Sequence, residues 1–225
     1  MTVQARPVRV WDLPTRVFHW LLAACFVAQI VTGQVGGGAM EWHMRIGLMV
    51  LALLVFRIIW GLIGGRWSRF ASFIYAPATL LRYLRGQRRE GDHFEVGHNP
   101  LGSLSVFGLL ALLLVQVATG LVADDEIATT GPLNKYVATA NALVASGWHT
   151  GPGRWILIAM VVLHLGAIIF YRVRGTSLVK PMFTGDKALP GEVPASTDDW
   201  PNRLLALGLA LLCVAGAGWL ATLRG

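Results

Sequence analysis

Residues 155–171 read WILIAMVVLHLGAIIFY, an apolar run with a single histidine, His164, near its middle. A helix needs about 20 predominantly apolar residues to cross the hydrocarbon core of a bilayer. An ionisable side chain at that depth is costly, so it indicates a functional site by default. The run therefore predicts a membrane-spanning helix that starts at Trp155 or several residues earlier and is built around His164.

The rest of the chain has the same apolar character. Of its 225 residues, 55% are hydrophobic and 14% are charged, whereas about a quarter of a soluble domain is charged. Together with residues 155–171, four further runs predict an all-α membrane protein with five spans. Those four runs are Val17–Thr32, His43–Ile63, Leu101–Val122 and Leu204–Leu223.

Most of the lysine and arginine lies in three segments: the N-terminal arm, the loop between spans two and three, and the stretch after span four. The other two loops carry Glu41 and the run Asp124-Asp125-Glu126 with few basic residues. Because basic loops stay on the cytoplasmic side, this predicts an inner-membrane protein with a cytoplasmic N-terminus and a periplasmic C-terminus. The same distribution explains the net charge of +7 without nucleic acid as a partner.

Several smaller features limit the class further. Cys25 and Cys213 lie inside apolar runs and form no CxxCH motif, so a covalently attached c-type haem is not expected. The first apolar run is too long for an ordinary signal peptide and is interpreted as a retained span.

Ala71–Arg85 mixes apolar and basic residues, as in a helix at the membrane interface. Gly185–Pro201 is interpreted as a linker, and no internal repeat is evident.

Four of the six histidines fall at two depths. His43 and His149 lie at the periplasmic ends of spans two and four, whereas His19 and His164 lie towards the cytoplasmic side of spans one and four. Each level thus offers one imidazole from span four and one from another helix. Facing helices of a bundle can place imidazoles on both sides of a haem iron, so the pattern predicts two bis-histidine haems stacked across the bilayer.

Other interpretations of these histidines stay open. His19 and His43 are compatible with solvated helix ends, and His149 with a glycine-rich turn. The 15 residues between His149 and His164 leave them about 60° apart on an ideal helix. A kink or π-bulge at Gly151-Pro152-Gly153 would realign them. His93 fits a solvated loop, and His98 is ambiguous.

Two arginines are candidate partners for haem propionates, which are carboxylates. Arg57 lies a turn or more inside span two and is the stronger candidate. Arg16 can equally be a charge that sets the topology. Arg45 is a further candidate.

Several motifs carry a family resemblance. They are Val10–Trp20 (VWDLPTRVFHW), Phe56–Gly61 followed by Arg69-Phe70, Gly97–Gly102 (GHNPLG), Gly131-Pro132-Leu133, Leu163-His164 and, more loosely, Lys180–Lys187. As a set they resemble the bacterial cytochrome b561 family, including the b-type cytochrome subunits of nickel–iron hydrogenases.

The resemblance implies a four-helix core that binds two b haems through His19, His43, His149 and His164. It places this core in residues 1–187, and residues 188–225 then form a linker and an extra transmembrane helix. The Gly-Pro-Gly insert after His149 departs from the family pattern.

The expected function is electron transfer across the inner membrane between quinone or quinol and a periplasmic c-type cytochrome or redox enzyme. Two alternatives remain. One is a quinone-linked superoxide oxidase, which would work without a partner protein. The other is a haem-free transporter or membrane anchor with histidines as a proton relay.

Overall fold

The structure is a computed structural model that describes residues 5–89 and 91–223. Residues 1–4 and 224–225 of the two predicted domains lie outside the described residues. In chain order the elements are β1 (Arg6–Arg9), α1 (Leu13–Val35), α2 (Ala39–Ile63), α3 (Pro77–Leu84), α4 (Pro100–Val122), α5 (Thr139–Thr150), α6 (Pro152–Val173), α7 (Val179–Thr184), β2 (Asp186–Leu189) and α8 (Trp200–Thr222).

The all-α architecture with five spans is confirmed. Within the described residues, five helical segments are long and apolar enough to cross a membrane: α1, α2, α4, α5 with α6, and α8. Helix α2 begins four residues earlier than predicted. Helices α1, α4 and α8 also begin up to four residues earlier, because a capping side chain fixes the start of each of these three. Asp12 Oδ1 accepts the Thr15 N–H at 2.8 Å, Asn99 Oδ1 the Gly102 N–H at 2.7 Å, and Asp199 Oδ1 the Asn202 N–H at 3.0 Å.

The fourth span is interrupted. Its helix starts at Thr139, well before Trp155, and breaks at Gly151, which has φ −101° and ψ −116°. Pro152 follows and has no N–H to continue the hydrogen-bond ladder. Of the kink and the π-bulge considered at Gly151-Pro152-Gly153, the structure shows an irregular residue at Gly151, so the ideal helical spacing assumed for His149 and His164 does not apply.

The chain divides into two compact units. The first contains the N-terminal residues up to Val17, Arg57–Gly108 and His164–Leu207, and the second contains Phe18–Phe56, Leu109–Leu163 and the residues from Gly208. In the second unit, apolar side chains of three helices form the core. These are Val50, Leu54, Leu113 and Leu157.

The first unit contains a two-stranded antiparallel sheet. Strand β1 pairs with β2 so that Arg6 lies opposite Leu189 and Arg9 opposite Asp186. The sequence predicts a linker over Gly185–Pro201 and no strand within it, because the four residues of β2 give no readable alternation before the proline-rich stretch. The domain boundary after Lys187 falls inside β2, and the division itself stays a prediction.

The segment between β2 and α8 is also bound to the N-terminal arm. Ser196 donates through its hydroxyl to Val10 O at 2.7 Å, and its backbone N–H donates to Arg9 O at 2.7 Å. Asp198 accepts hydrogen bonds from Arg9 at 2.7 Å and from Arg203 at 3.0 Å, and its side chain is 5% exposed. The start of α8 is thereby anchored to the start of α1.

The segment predicted to form an interfacial helix contains a shorter helix, and its location at the membrane interface stays a prediction. A turn of 3₁₀ helix covers Phe70–Ser72, and α3 begins only at Pro77. Pro77 suits the first helical turn but disfavours helix in the residue before it. The helix therefore occupies the second half of the predicted Ala71–Arg85 range.

Candidate functional site

The second unit encloses a cavity of about 820 Å³, large enough for a cofactor. Helices α1, α2, α4 and α5 line most of it, largely with apolar side chains, and the first turns of α6 contribute Arg154 and Leu157. His43 from α2 and His149 from α5 both face this space. The cavity thus resembles a cofactor pocket, because its lining is mostly apolar and contains a small number of polar groups.

The structure brings His43 and His149 together. Their ring centroids lie 6.0 Å apart and their planes are at 86° to each other. A metal held between two imidazoles needs a bond of roughly 2 Å on each side. Adding the radius of each ring gives a centroid separation of about 6 Å, which is the separation found here.

Hydrogen bonds orient both rings. His43 Nδ1 lies 3.2 Å from Gln29 O and 3.3 Å from Thr32 Oγ1. His149 Nδ1 lies 2.8 Å from Gln116 O and 3.4 Å from Thr119 Oγ1. Since each Nδ1 is turned to a neighbouring helix, Nε2 is the nitrogen left for a metal.

The two facing imidazoles fit the ligand requirement of a haem iron, which differs from the requirement of a simple metal ion. Within residues 5–89 and 91–223, no group of three His, Cys, Asp or Glu side chains converges as a protein-only ion site would require. Two imidazoles suffice for haem iron, because the porphyrin supplies the other four nitrogens.

Polar atoms at the cavity fit a group with its own donors and carboxylates. Gln29 Oε1, Gln116 Oε1 and Arg154 Nε are buried and have no hydrogen-bond partner among the described residues. The Arg154 guanidinium lies 4.9 Å from the centre of the Trp155 ring. Arg154 was not among the site residues predicted from the sequence, although its place five residues after His149 was a usable signal.

The other two predicted ligands belong to different units. His19 is half-buried on α1 in the second unit, and His164 is half-buried on α6 in the first. Their pairing as ligands stays a prediction.

The two predicted propionate partners have well-defined surroundings in the first unit. Arg57 is 3% exposed, and its guanidinium lies 4.7 Å from the centre of the Phe70 ring. Arg16 donates to Phe183 O at 2.5 Å and lies 3.9 Å from Asp198. Arg16 therefore ties α1 to the end of α7, and cofactor binding by either arginine stays a prediction.

His98, left ambiguous by the sequence, lies in an aromatic cluster of the first unit. Its ring centroid is 4.8 Å from that of Trp11 and 4.6 Å from that of Phe73. Its backbone carbonyl accepts a hydrogen bond from Tyr75 at 2.8 Å. These contacts give His98 a packing role where the GHNPLG segment enters α4.

The family described as prokaryotic cytochrome b561 matches residues 10–185. Curated relatives include the "Probable Ni/Fe-hydrogenase 1 B-type cytochrome subunit" of Escherichia coli K12, 24% identical over 69% of this chain and 80% of the relative. The corresponding subunits of Bradyrhizobium diazoefficiens and Cupriavidus necator are 22% and 24% identical over 80% and 78% of this chain, and each is covered over 85% of its length. No solved structure shows a significant match.

Proposed function

The chain belongs to the prokaryotic cytochrome b561 family, and on this premise we propose that it transfers electrons across the inner membrane through two b haems. The observation that carries the proposal is the His43–His149 pair across an apolar cavity, 6.0 Å between ring centroids. Haem b, when bound, supplies a one-electron couple whose potential depends on its axial ligands and their surroundings.

The outer haem site is proposed to consist of His43 and His149 as axial ligands. Arg154 would pair with a propionate, since its buried Nε has no protein partner among the described residues. The apolar wall would exclude water and hold the ligands in one geometry. Gln29 and Gln116 place two further polar atoms at the wall.

The inner haem site is proposed to consist of His19 and His164. His164 lies within the apolar helix α6, where an ionisable side chain without a ligand role is costly. His19 lies two turns into α1, the helix that follows the basic N-terminal arm. Arg57, almost fully buried, is the proposed propionate partner on this side.

The charge of the loops supports the orientation. The N-terminal arm, the loop between α2 and α4 and the segment after α6 carry most of the lysine and arginine. We place these on the cytoplasmic side. The cavity with His43 and His149 then lies near the periplasm, where a partner protein can exchange electrons with it.

The proposed electron carrier in the membrane is a quinone. The proposed periplasmic partner is a redox enzyme of the nickel–iron hydrogenase kind, because the relatives are named as subunits of such enzymes. A c-type cytochrome is the other partner compatible with this arrangement. Family membership disfavours the haem-free transporter or anchor.

The test combines haem counting with electron transfer. A pyridine haemochrome assay on the purified chain is expected to give two b haems, and His164→Ala and His149→Ala are each expected to give one. Vesicles containing the wild type and a quinol are expected to reduce an impermeant acceptor on the opposite side. A folded wild type without haem would overturn the proposal, as would two haems with no transmembrane transfer.

A further inference from the structure

Two helices carry the same five-residue pattern, which is too short to be recognised as a repeat from the sequence. Gln29–Gly33 in α1 reads QIVTG, and Gln116–Gly120 in α4 reads QVATG. We name these the two glutamine–threonine–glycine segments. Each contacts one histidine of the cavity: the first contacts His43 and the second His149.

The hydrogen bonds in the two segments are equivalent. In each, the ring Nδ1 faces the backbone oxygen of the glutamine and the hydroxyl of the threonine three residues later. The threonine hydroxyl also donates to the carbonyl four residues before it, at 2.7 Å from Thr32 to Ala28 and at 2.8 Å from Thr119 to Val115. The same environment is thus built twice, on different helices.

These contacts fix where the proton of each ring lies. A backbone carbonyl only accepts, and a hydroxyl has one proton, which both threonines donate to their own helix. Each Nδ1 therefore faces acceptors alone and must carry the ring proton in a neutral imidazole. The lone pair is then on Nε2 of both His43 and His149.

Gly33 and Gly120 leave space for the two histidine rings. A Cβ on Gly33 would lie 3.2 Å from His43 Cε1, and a Cβ on Gly120 would lie 2.7 Å from His149 Cε1. Both rings therefore rest against a backbone that has no side chain at that point. Any side chain at Gly120 would force the His149 ring to move, because a 2.7 Å approach is shorter than real Cβ atoms show.

The correspondence extends to the helices that carry the histidines. Gly47 and Gly153 each follow their histidine by four residues. A Cβ on Gly47 would lie 3.0 Å from Gln29 Nε2, and a Cβ on Gly153 would lie 2.7 Å from Gln116 Oε1. The backbone oxygen of each glutamine contacts one histidine, and the side chain of the same glutamine packs on the glycine one helical turn after that histidine.

We propose that the two glutamine–threonine–glycine segments are matched positioning devices that set the tautomer and ring orientation of both outer haem ligands. This rests on the proposed haem site and assigns Thr32, Gly33, Thr119 and Gly120 to it. Acceptors at Nδ1 raise the electron donation of a ligating imidazole. The segments therefore stabilise the ferric state and lower the reduction potential of the outer haem from both sides.

The first test removes the two hydroxyls and keeps the side-chain shape. Thr32→Val/Thr119→Val is expected to keep two haems and to raise the midpoint potential of the outer haem in a spectroelectrochemical titration, with the inner haem unchanged. Thr32→Ser/Thr119→Ser is expected to restore the wild-type potential. Thr222→Val is the matched control, because that hydroxyl also bonds to its own helix but lies on α8.

The second test removes the space for one ring. Gly120→Val is expected to halve the haem content and to remove the outer-haem signal from the ferric electron paramagnetic resonance spectrum. Gly208→Val is the control, since a Cβ there meets no atom within 4 Å.

The outcomes separate this inference from the proposed function. Fewer than two haems in the wild type would overturn the proposed function itself. Two haems in the wild type, with an unshifted potential in Thr32→Val/Thr119→Val, would leave that function standing and overturn the positioning role. Full haem content in Gly120→Val would overturn it as well.

Discussion

The imidazole rings of His43 and His149 are perpendicular, with an interplanar angle of 86° at a centroid separation of 6.0 Å. Each ring is held by hydrogen bonds to a different helix, so neither is free to rotate towards the other. When two axial imidazoles are perpendicular, neither of the two iron d orbitals that interact with their π systems is favoured. This relationship has a spectroscopic consequence.

The ferric outer haem is expected to give a strongly anisotropic low-spin electron paramagnetic resonance signal, because perpendicular ligands leave those two orbitals nearly degenerate. His149→Ala and His43→Ala are each expected to remove this signal and the same single haem. The double variant is expected to lose no further haem, since the two ligands act as one unit. Loss of a different haem in each single variant would contradict the pairing.

Asp198 is expected to stabilise the junction between the N-terminal arm and α8. Asp198→Asn removes the charge that binds Arg9 and Arg203, and we expect a loss of about 2 kcal/mol in the free energy of unfolding. Hydrogen bonds to charged groups contribute about 1.5–3 kcal/mol, and the partial exposure of both arginines reduces this. Thermal unfolding in detergent measures the effect.

Asp199→Asn is the matched control for that measurement. Asp199 caps α8 by accepting the Asn202 N–H, and asparagine caps a helix as well as aspartate does. We therefore expect a change below about 0.5 kcal/mol. Equal losses in Asp198→Asn and Asp199→Asn would contradict the anchoring role of Asp198.

The same carboxylate predicts a pH dependence. Burial alone would raise the pKa of Asp198, but hydrogen bonds from Arg203 and Leu13 N–H and the charges of Arg203 and Arg9 hold the pKa below its ordinary value. When the pKa of a carboxyl is lower in the folded state than in the unfolded state, the ionised carboxyl stabilises the fold. This contribution is complete above the unfolded-state pKa of about 3.9 and is lost as the pH falls through the folded-state pKa. The stability difference between wild type and Asp198→Asn is thus expected to stay constant from pH 7 to 5 and to shrink below about pH 4. A difference that grew on acidification would contradict this assignment.

The proposed orientation predicts which loops can be labelled from the periplasm. Ile127 is 91% exposed in the acidic loop after α4, and Gln87 is exposed in the basic loop after α3. In a Cys25→Ala/Cys213→Ala background, Ile127→Cys is expected to react with an impermeant maleimide in spheroplasts. Gln87→Cys is expected to react only after lysis. The reverse labelling would invert the proposed topology.

The long helices could be predicted from sequence because each is an apolar run, and α1, α4 and α8 also begin beside a capping side chain. His43 and His149 could be placed at one level because each lies at the end of such a run. The break at Gly151 was also readable, since proline and glycine act on the backbone locally. Each of these features depends on residues that lie close together in the sequence.

Features that depend on distant residues were not readable. Strand β2 exists because it pairs with β1, which lies near the other end of the chain. The four residues of β2 show no alternation of their own. The two glutamine–threonine–glycine segments look like ordinary polar and small residues inside apolar helices. Only the positions of His43 and His149 across from them reveal that they form the same contacts.

The hydrogen bond from Ser196 to Val10 O joins residues 186 positions apart, and the pairing of β1 with β2 spans almost as much of the chain. A ribosome adds about 5–20 residues per second, so β1 waits roughly 10–35 s for its partner to be synthesised. During that interval the start of α1 lacks both its strand partner and Asp198. The N-terminal arm can therefore close only after the fourth span has left the ribosome, which makes this junction a late step in biogenesis.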